Sequence, residues 1–239
     1  MTGLVESATA IMRMAERRLD VSAHNVANIS TPGYKRRIGF AEAVAAGSSG
    51  RFAGAGDVAL SVRHDRAQAR LAETGNPFDL AISGDGYFRV RSGDAVLYTR
   101  QGQFRRDADG LLVTPQGYVL QQAGGGDLVI DGATMTVRQD GMVLEGGRPV
   151  ARLAIEAGAD PAAMTAVGES FYSVPEGAMG EAEGALVRQG MLEGSNVTLG
   201  DEMTQSMIAV RQAESGARLI QLYDELMGRA VSAFGGNGR

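Results

Sequence analysis

His24 and His64 are the only two histidines in 239 residues, and there is no cysteine. A zinc site built from this chain would therefore need an unusual all-carboxylate complement, and His24 reads as a polar residue on a helix face. The missing cysteines also remove disulfides, thiolate nucleophiles and sulfur-bound metals, and they leave the redox compartment open. Asp107-Ala108-Asp109-Gly110 resembles the start of a calcium loop. Leu111, however, stands where the third oxygen ligand should begin, and the twelfth position, Tyr118, is not Glu, so a β-turn is the better reading. No G-x-S-x-G elbow occurs, and Ser195 has no histidine near it in sequence. Gly54-Ala55-Gly56 lacks the next glycine and the βαβ context of a dinucleotide site, and there is no G-K-[ST] phosphate loop. The 28 acids supply carboxylate pairs, but none stands out. The expectation is a protein with no catalytic residues, no cofactor, no metal and no small-molecule substrate.

Lys35-Arg36-Arg37 has the charge to touch phosphate, but Tyr34 is its only flanking aromatic and the net charge is -5 with a pI near 5.2. A nucleic-acid partner is not expected, because neutralising phosphates needs a strongly basic surface. A solvated or inter-subunit salt-bridging patch fits better. No tryptophan and 5% aromatics leave few anchors for hot spots or base stacking.

The elements that carry these residues follow from the breakers and the hydrophobic period. Glycines crowd between residues 33 and 200, whereas Gly3 alone precedes Pro32 and Gly216 is the only glycine from Asp201 to Met227. In the N-terminal stretch Val5, Ala8, Met12, Ala15, Leu19, Ser22, Val26 and Ile29 alternate by three and four, which is the seam of a coiled-coil helix. From Thr2 to Asn28 it would be roughly 40 Å long. The C-terminal stretch repeats the theme with Met203, Met207, Val210, Ala213, Ala217, Ile220, Met227, Val231 and Phe234, after Asp201 as an N-cap or first-turn acid. Gly216 inside that stretch costs about 1 kcal/mol against Ala and marks a bend or a close helix contact. Gly235–Arg239 reads as a frayed tail.

Between the ends, the runs YFRV, AVLYTR, GQFRR, LLVT, YVLQ, DLVI, MTVR, MVLE and VARLAI are short and β-prone, and turn-formers such as SGD, DADG, TPQG and AGGGD separate them. That spacing is typical of antiparallel sandwiches and barrels. The expected class is α+β, with long N- and C-terminal coiled-coil helices packed together and a central all-β domain. The expected boundaries are 1–33 and 190–239 for a discontinuous helical domain, 34–79 for an extended connector containing AAGSSGRFAGAGD, and 80–189 for the β domain. No stretch is long and apolar enough for a membrane span, and Glu6, Arg13 and Glu16 interrupt any signal-peptide core, so a soluble chain without membrane insertion is expected.

Three stretches in this order resemble the axial proteins of the bacterial flagellum, the rod and hook subunits. LDVSAHNVANISTPGYKR matches that family's helix end, with Asn25, Asn28, Thr31, Pro32, Gly33, Tyr34 and Lys35 at the motif positions. NPFDLAISGDGYFRV, containing Gly84, Asp85 and Gly86, and YTRQGQFRRDADGLLVTPQGYVL resemble its β-domain core. LEGSNV, with Glu193, Gly194, Ser195 and Asn196, and EMTQSMIAVRQAESGARLIQLYDELM resemble its C-terminal signature. The resemblance implies a structural subunit of the basal-body rod, exported by the flagellar type III apparatus without a cleaved signal and assembled in the periplasmic space to transmit torque. Its implied partners are copies of itself and other proximal and distal rod subunits. Length and the Ser-Thr-Pro-Gly break favour a proximal over a distal subunit. The alternative outside the family is a secreted β-rich binding or glycan-active domain with helical oligomerisation tails.

On that reading Val5, Met12, Leu19, Val26, Met203, Met207, Val210, Ala217, Ile220 and Met227 face neighbouring subunits. Asn25 and Asn28 would fix register between subunits as buried amides. Pro32 biases Thr31 out of helical geometry and Gly33 tolerates the reversal, so the chain turns at one defined joint. Lys35, Arg36 and Arg37 would then meet acids of a neighbour.

Overall fold

The computed structural model describes residues 3–43, 58–132, 134–158 and 163–235. Two compact units emerge. One draws its described residues from Met1–Ala27, Arg37–His64 and Val197–Arg239, the other from Asn28–Arg36 and Asp65–Asn196.

In the first unit, helix α1 (Gly3–Ala27) and helix α2 (Leu199–Gly235) pack antiparallel. Glu6 in the first turn of α1, and Asp201 and Glu202 in that of α2, oppose the positive end of each helix dipole. The direction is set by the contacts. Ser22 Oγ donates to the Glu202 carbonyl at 2.9 Å and lies 2.9 Å from Ser206 Oγ, while Arg18 Nη1 donates to Gln212 Oε1 at 3.1 Å. Further along, a Cβ built on Gly216 would stand 2.7 Å from Met12 Cγ and 3.1 Å from the Ala8 carbonyl oxygen. Gly216 is thus a close helix contact within an unbroken helix. Gly235 belongs to the helix, and the rest of the expected frayed tail lies outside the described residues.

A two-stranded antiparallel hairpin completes this unit, with Arg37–Ala43 paired to Val58–His64. This corrects the expectation of an extended connector over 34–79. Ile38, Phe40, Val58, Leu60 and Val62 are β-prone residues that find ladder partners in each other's strands. The AAGSSGRFAGAGD segment of that expectation lies outside the described residues.

The second unit is antiparallel β throughout its named strand pairs. Its main sheet runs from Thr165–Val167 through Phe171–Ser173, Ala95–Thr99, Tyr87–Ser92, Val119–Leu120 and Leu112–Val113 to Arg105–Arg106. A three-stranded meander, Met135–Val137, Met142–Glu145 and Arg148–Arg152, lies beside it in sequence. Alternation puts Leu80, Ile82, Phe88, Val90, Leu112 and Leu120 into one core. Tyr87, Tyr98 and Tyr172 form a second cluster. Most of the β-prone runs are strands; DLVI is not, since its residues make only isolated bridges, and VARLAI divides between the strands Arg148–Arg152 and Ile155–Gly158. This unit also takes in residues 28–33 and 190–196, which the expected boundaries assigned to the helical domain, and residues 34–36 of the expected connector. The reason is pairing: Met191–Glu193 forms a ladder with Leu71–Glu73.

Candidate functional site

Two features gather the motif residues, one in each unit. The first is a joint in the β unit. Ala27 ends α1, and the Thr31 amide then donates to the Asn28 carbonyl at 3.1 Å while Thr31 Oγ1 donates to Asn28 Oδ1 at 3.0 Å. Pro32 follows, and Gly33 takes φ +69, a left-handed conformation open to glycine. A Cβ at Gly33 would sit 2.3 Å from the Gln101 amide nitrogen, so no other residue fits without moving backbone.

Gly33 delivers Tyr34 and Lys35 into the interior, where both are fully buried. Lys35 Nζ donates to Glu193 Oε1 at 2.6 Å and to the Ala67 carbonyl at 2.9 Å. Arg100 Nη1 donates to Glu193 Oε2 at 3.2 Å, and its Nη2 to the Gly84 carbonyl at 2.7 Å. The Ala69 amide donates to Glu193 Oε1 at 2.9 Å, and the Glu193 carbonyl accepts from the Gly33 amide at 2.8 Å. Arg100 also lies over the Tyr87 ring at 5.2 Å. One buried carboxylate therefore sits between two buried cations, and its lone pairs are met by donors from three distant stretches. Burial pushes the Lys35 ammonium below its ordinary pKa even though Glu193 opposes the shift.

The neighbouring motif residues extend the joint. Asn196 accepts from the Arg36 amide at 2.6 Å, and its side-chain amide donates to the Asp65 carbonyl at 3.0 Å. The Gly194 amide donates to the Arg70 carbonyl at 3.0 Å, and Ser195 is half-buried. Gly84 and exposed Asp85 make the turn into Tyr87–Ser92, and a Cβ on buried Gly86 would crowd Ile155 Cγ2 at 2.9 Å. Lys35 is therefore paired within its own chain, which corrects the inter-subunit role expected for it. Arg36 and Arg37 are half-buried rather than presented as a basic patch. Asn25 is likewise engaged internally: its Nδ2 donates to the Arg37 carbonyl and its Oδ1 accepts from the Arg37 amide, at 2.9 and 2.8 Å. It holds the start of the hairpin.

The second feature is the face of the helix pair. On α1 the buried residues of the seam are Ala8, Ala15 and Ser22, seven apart, and on α2 the buried positions are Glu202, Ala209 and Gly216, again seven apart. Small side chains let two helices approach closely along one row each. The other row stays outside that contact. Met12 and Val26 are exposed and Val5 and Leu19 half-buried on α1, while Met203, Met207, Val210 and Met227 are exposed and Ala217 and Ile220 half-buried on α2. Met207 keeps 59% of its surface. The seam read from sequence on α2 is thus displaced by one position from the residues that pack inside the chain.

Arg100, Ala67 and Ala69 were not singled out from sequence. Lys35 and Glu193 are 158 residues apart and Arg100 is 93 from Glu193, so no local spacing announces them as partners. Among the described residues no group of three or more His, Asp or Glu lies close enough together to hold a metal ion.

Terminal helices paired in one unit, with a β unit in which motifs from both chain ends lock together, define an α+β structural subunit. Three family signatures match in order: "Flagella basal body rod protein" over residues 12–35, "Flagellar hook protein FlgE/F/G D1 domain" over 81–145, and "Flagellar basal body rod FlgEFG protein C-terminal" over 188–233. The flagellar basal-body rod protein FlgF of Caulobacter vibrioides is 32% identical over 92% of each chain. The rod protein FlgG of Bacillus subtilis is 30% identical over 92% of this chain and 95% of its own, and FlgG of Agrobacterium fabrum is 32% identical over 95% and 97%. The chain belongs to the flagellar basal-body rod protein family.

Proposed function

We propose that this protein is a structural subunit of the flagellar rod whose terminal helices polymerise with copies of themselves and with other rod subunits. It would be exported through the flagellar type III apparatus, assemble in the periplasmic space and carry torque from motor to hook. The observation that carries this reading is the unfilled row of the helix pair: Met203, Met207 and Val210 stand exposed on a helix whose small-residue row is already packed. A helix in water derives most of its stability from packing an apolar face, so such a row calls for neighbours. Many packed helices resist shear together although each contact is weak. Coiled-coil packing between subunits would use the expected interface residues, with Val5, Met12, Leu19 and Val26 on α1 and Met203, Met207, Val210, Ala217, Ile220 and Met227 on α2.

Relatives named FlgF and FlgG match at 32% identity alike, so similarity does not separate proximal from distal position. We favour the proximal position on the Ser-Thr-Pro-Gly break at residues 30–33. The test is a deletion strain scored for motility and for where basal-body assembly stalls. Rescue of an F-type null and not a G-type null supports the proximal reading, the reverse pattern selects the distal one, and normal swimming in the deletion strain refutes both.

A further inference from the structure

We infer that the groove on the helix pair is the socket for the C-terminal end of α2 from a second copy of this chain, an inference that rests on the polymerising role proposed above. The groove has a volume of about 640 Å³ and lies between α1 and α2. Its lining includes Ala10, Ile11, Met14 and Ile208, and among the described residues its charged side chains are Arg18 and Arg211. From Ser7 to Arg18 it follows roughly 16 Å of helix.

The proposed plug is the part of α2 that has no partner helix among the described residues of its own chain. The antiparallel register places Ser22 by Ser206, Arg18 by Gln212 and Met12 by Gly216. Carried forward, it sets Gly3 opposite about residue 223, so roughly the last twelve residues of α2 run past the start of α1 for about 18 Å. That length matches the groove. At 100° per residue Leu222, Leu226, Ala230, Tyr223, Met227 and Val231 spread over about half the circumference. Leu222, Leu226 and Val231 are all exposed.

Charge fits as well. Asp224 borders the apolar arc beside Val231, and it is an exposed acid with no cation on its own helix turn. Glu225 is engaged with Arg229 at 2.6 Å. An acid at the plug's edge complements a socket whose charges are both positive. The socket occupies residues 208–215 of the same continuous helix, so α2 cannot fold back into it. The contact must be made between copies, and such a heterologous contact gives a ring if the rotation closes and an open filament if it does not.

The absence of native cysteine makes the test direct. Full-length Ile11→Cys and Leu226→Cys chains are mixed and oxidised with copper phenanthroline, with Ser215→Cys as a second socket position. The mixed disulfide should form several-fold more than in either variant alone or in a mixture of Leu226→Cys with Glu183→Cys, an exposed position of the β unit. Arg211→Glu should reduce it, and adding Asp224→Arg to the partner chain should restore it. A mixed yield no higher than the Glu183→Cys control, or Ile11→Cys chains joining mainly to each other, overturns the socket. If that happens while Val210→Asp still blocks rod assembly, the polymerising role stands and only the socket fails.

Discussion

Lys35 Nζ lies 2.6 Å from Glu193 Oε1, joining residues 158 positions apart with 1% and 0% of their side chains exposed. Arg100 closes on the other carboxylate oxygen. Motifs from near both chain ends and from the middle of the β unit therefore converge on one buried anion.

Removing that anion leaves two buried cations without a counter-charge, a change that costs about 3–5 kcal/mol. Glu193→Leu and Glu193→Gln are both expected to lose stability on this scale by urea denaturation. The Lys35→Met change should cost less when made in Glu193→Gln than in the parent protein, because the lysine is then already without its partner. Additive losses would mean that the pair is not coupled.

Two glycines of α2 separate propensity from packing. A Cβ at Gly228 meets nothing within 4 Å, so Gly228→Ala should raise stability by up to about 1 kcal/mol. At Gly216 the same Cβ crowds Met12 and the Ala8 carbonyl, so Gly216→Ala should forfeit that gain and loosen the helix pair. Thermal unfolding followed by circular dichroism compares the two, and equal stabilisation would show that Gly216 is not a contact point.

Tyr98 predicts the alkaline behaviour of the β unit. Burial first, then its hydrogen bond to Glu156 Oε2 at 3.0 Å, push the phenol up to about 12. The folded state therefore holds this proton more tightly than the unfolded chain, whose tyrosine titrates near ~10. The resulting stability is full below pH ~10 and is lost as pH rises from ~10 toward 12. Tyr98→Phe should flatten the loss of stability across that window, and an unchanged slope in denaturant titrations would rule the group out.

Much of the fold is legible from local periods. The three-four alternation from Val5 to Ile29 marks α1, and Pro32 with Gly33 marks its end, because backbone geometry and helix packing act over a few residues. Partner choice is not local. The hairpin at Arg37–Ala43 and Val58–His64 was hidden by the glycine-rich segment between its strands, and the ladder between Leu71–Glu73 and Met191–Glu193 spans about half of the chain. The same holds at the joint. Lys35 looks like part of a surface basic run until Glu193 and Arg100 arrive from elsewhere. On α2 the expected seam misses Glu202 and Ala209 because small and polar residues at a tight helix contact carry little hydrophobic signal.

The central claim is that the exposed row of the helix pair is filled by neighbouring subunits, and Val210→Asp tests it most directly. The residue is exposed, so the purified variant should keep the parent's circular dichroism and unfolding midpoint. Placed in the flagellated host as the only copy, it should leave cells non-motile with basal bodies stalled before rod completion. Complete basal bodies and normal swimming in that strain would contradict the account.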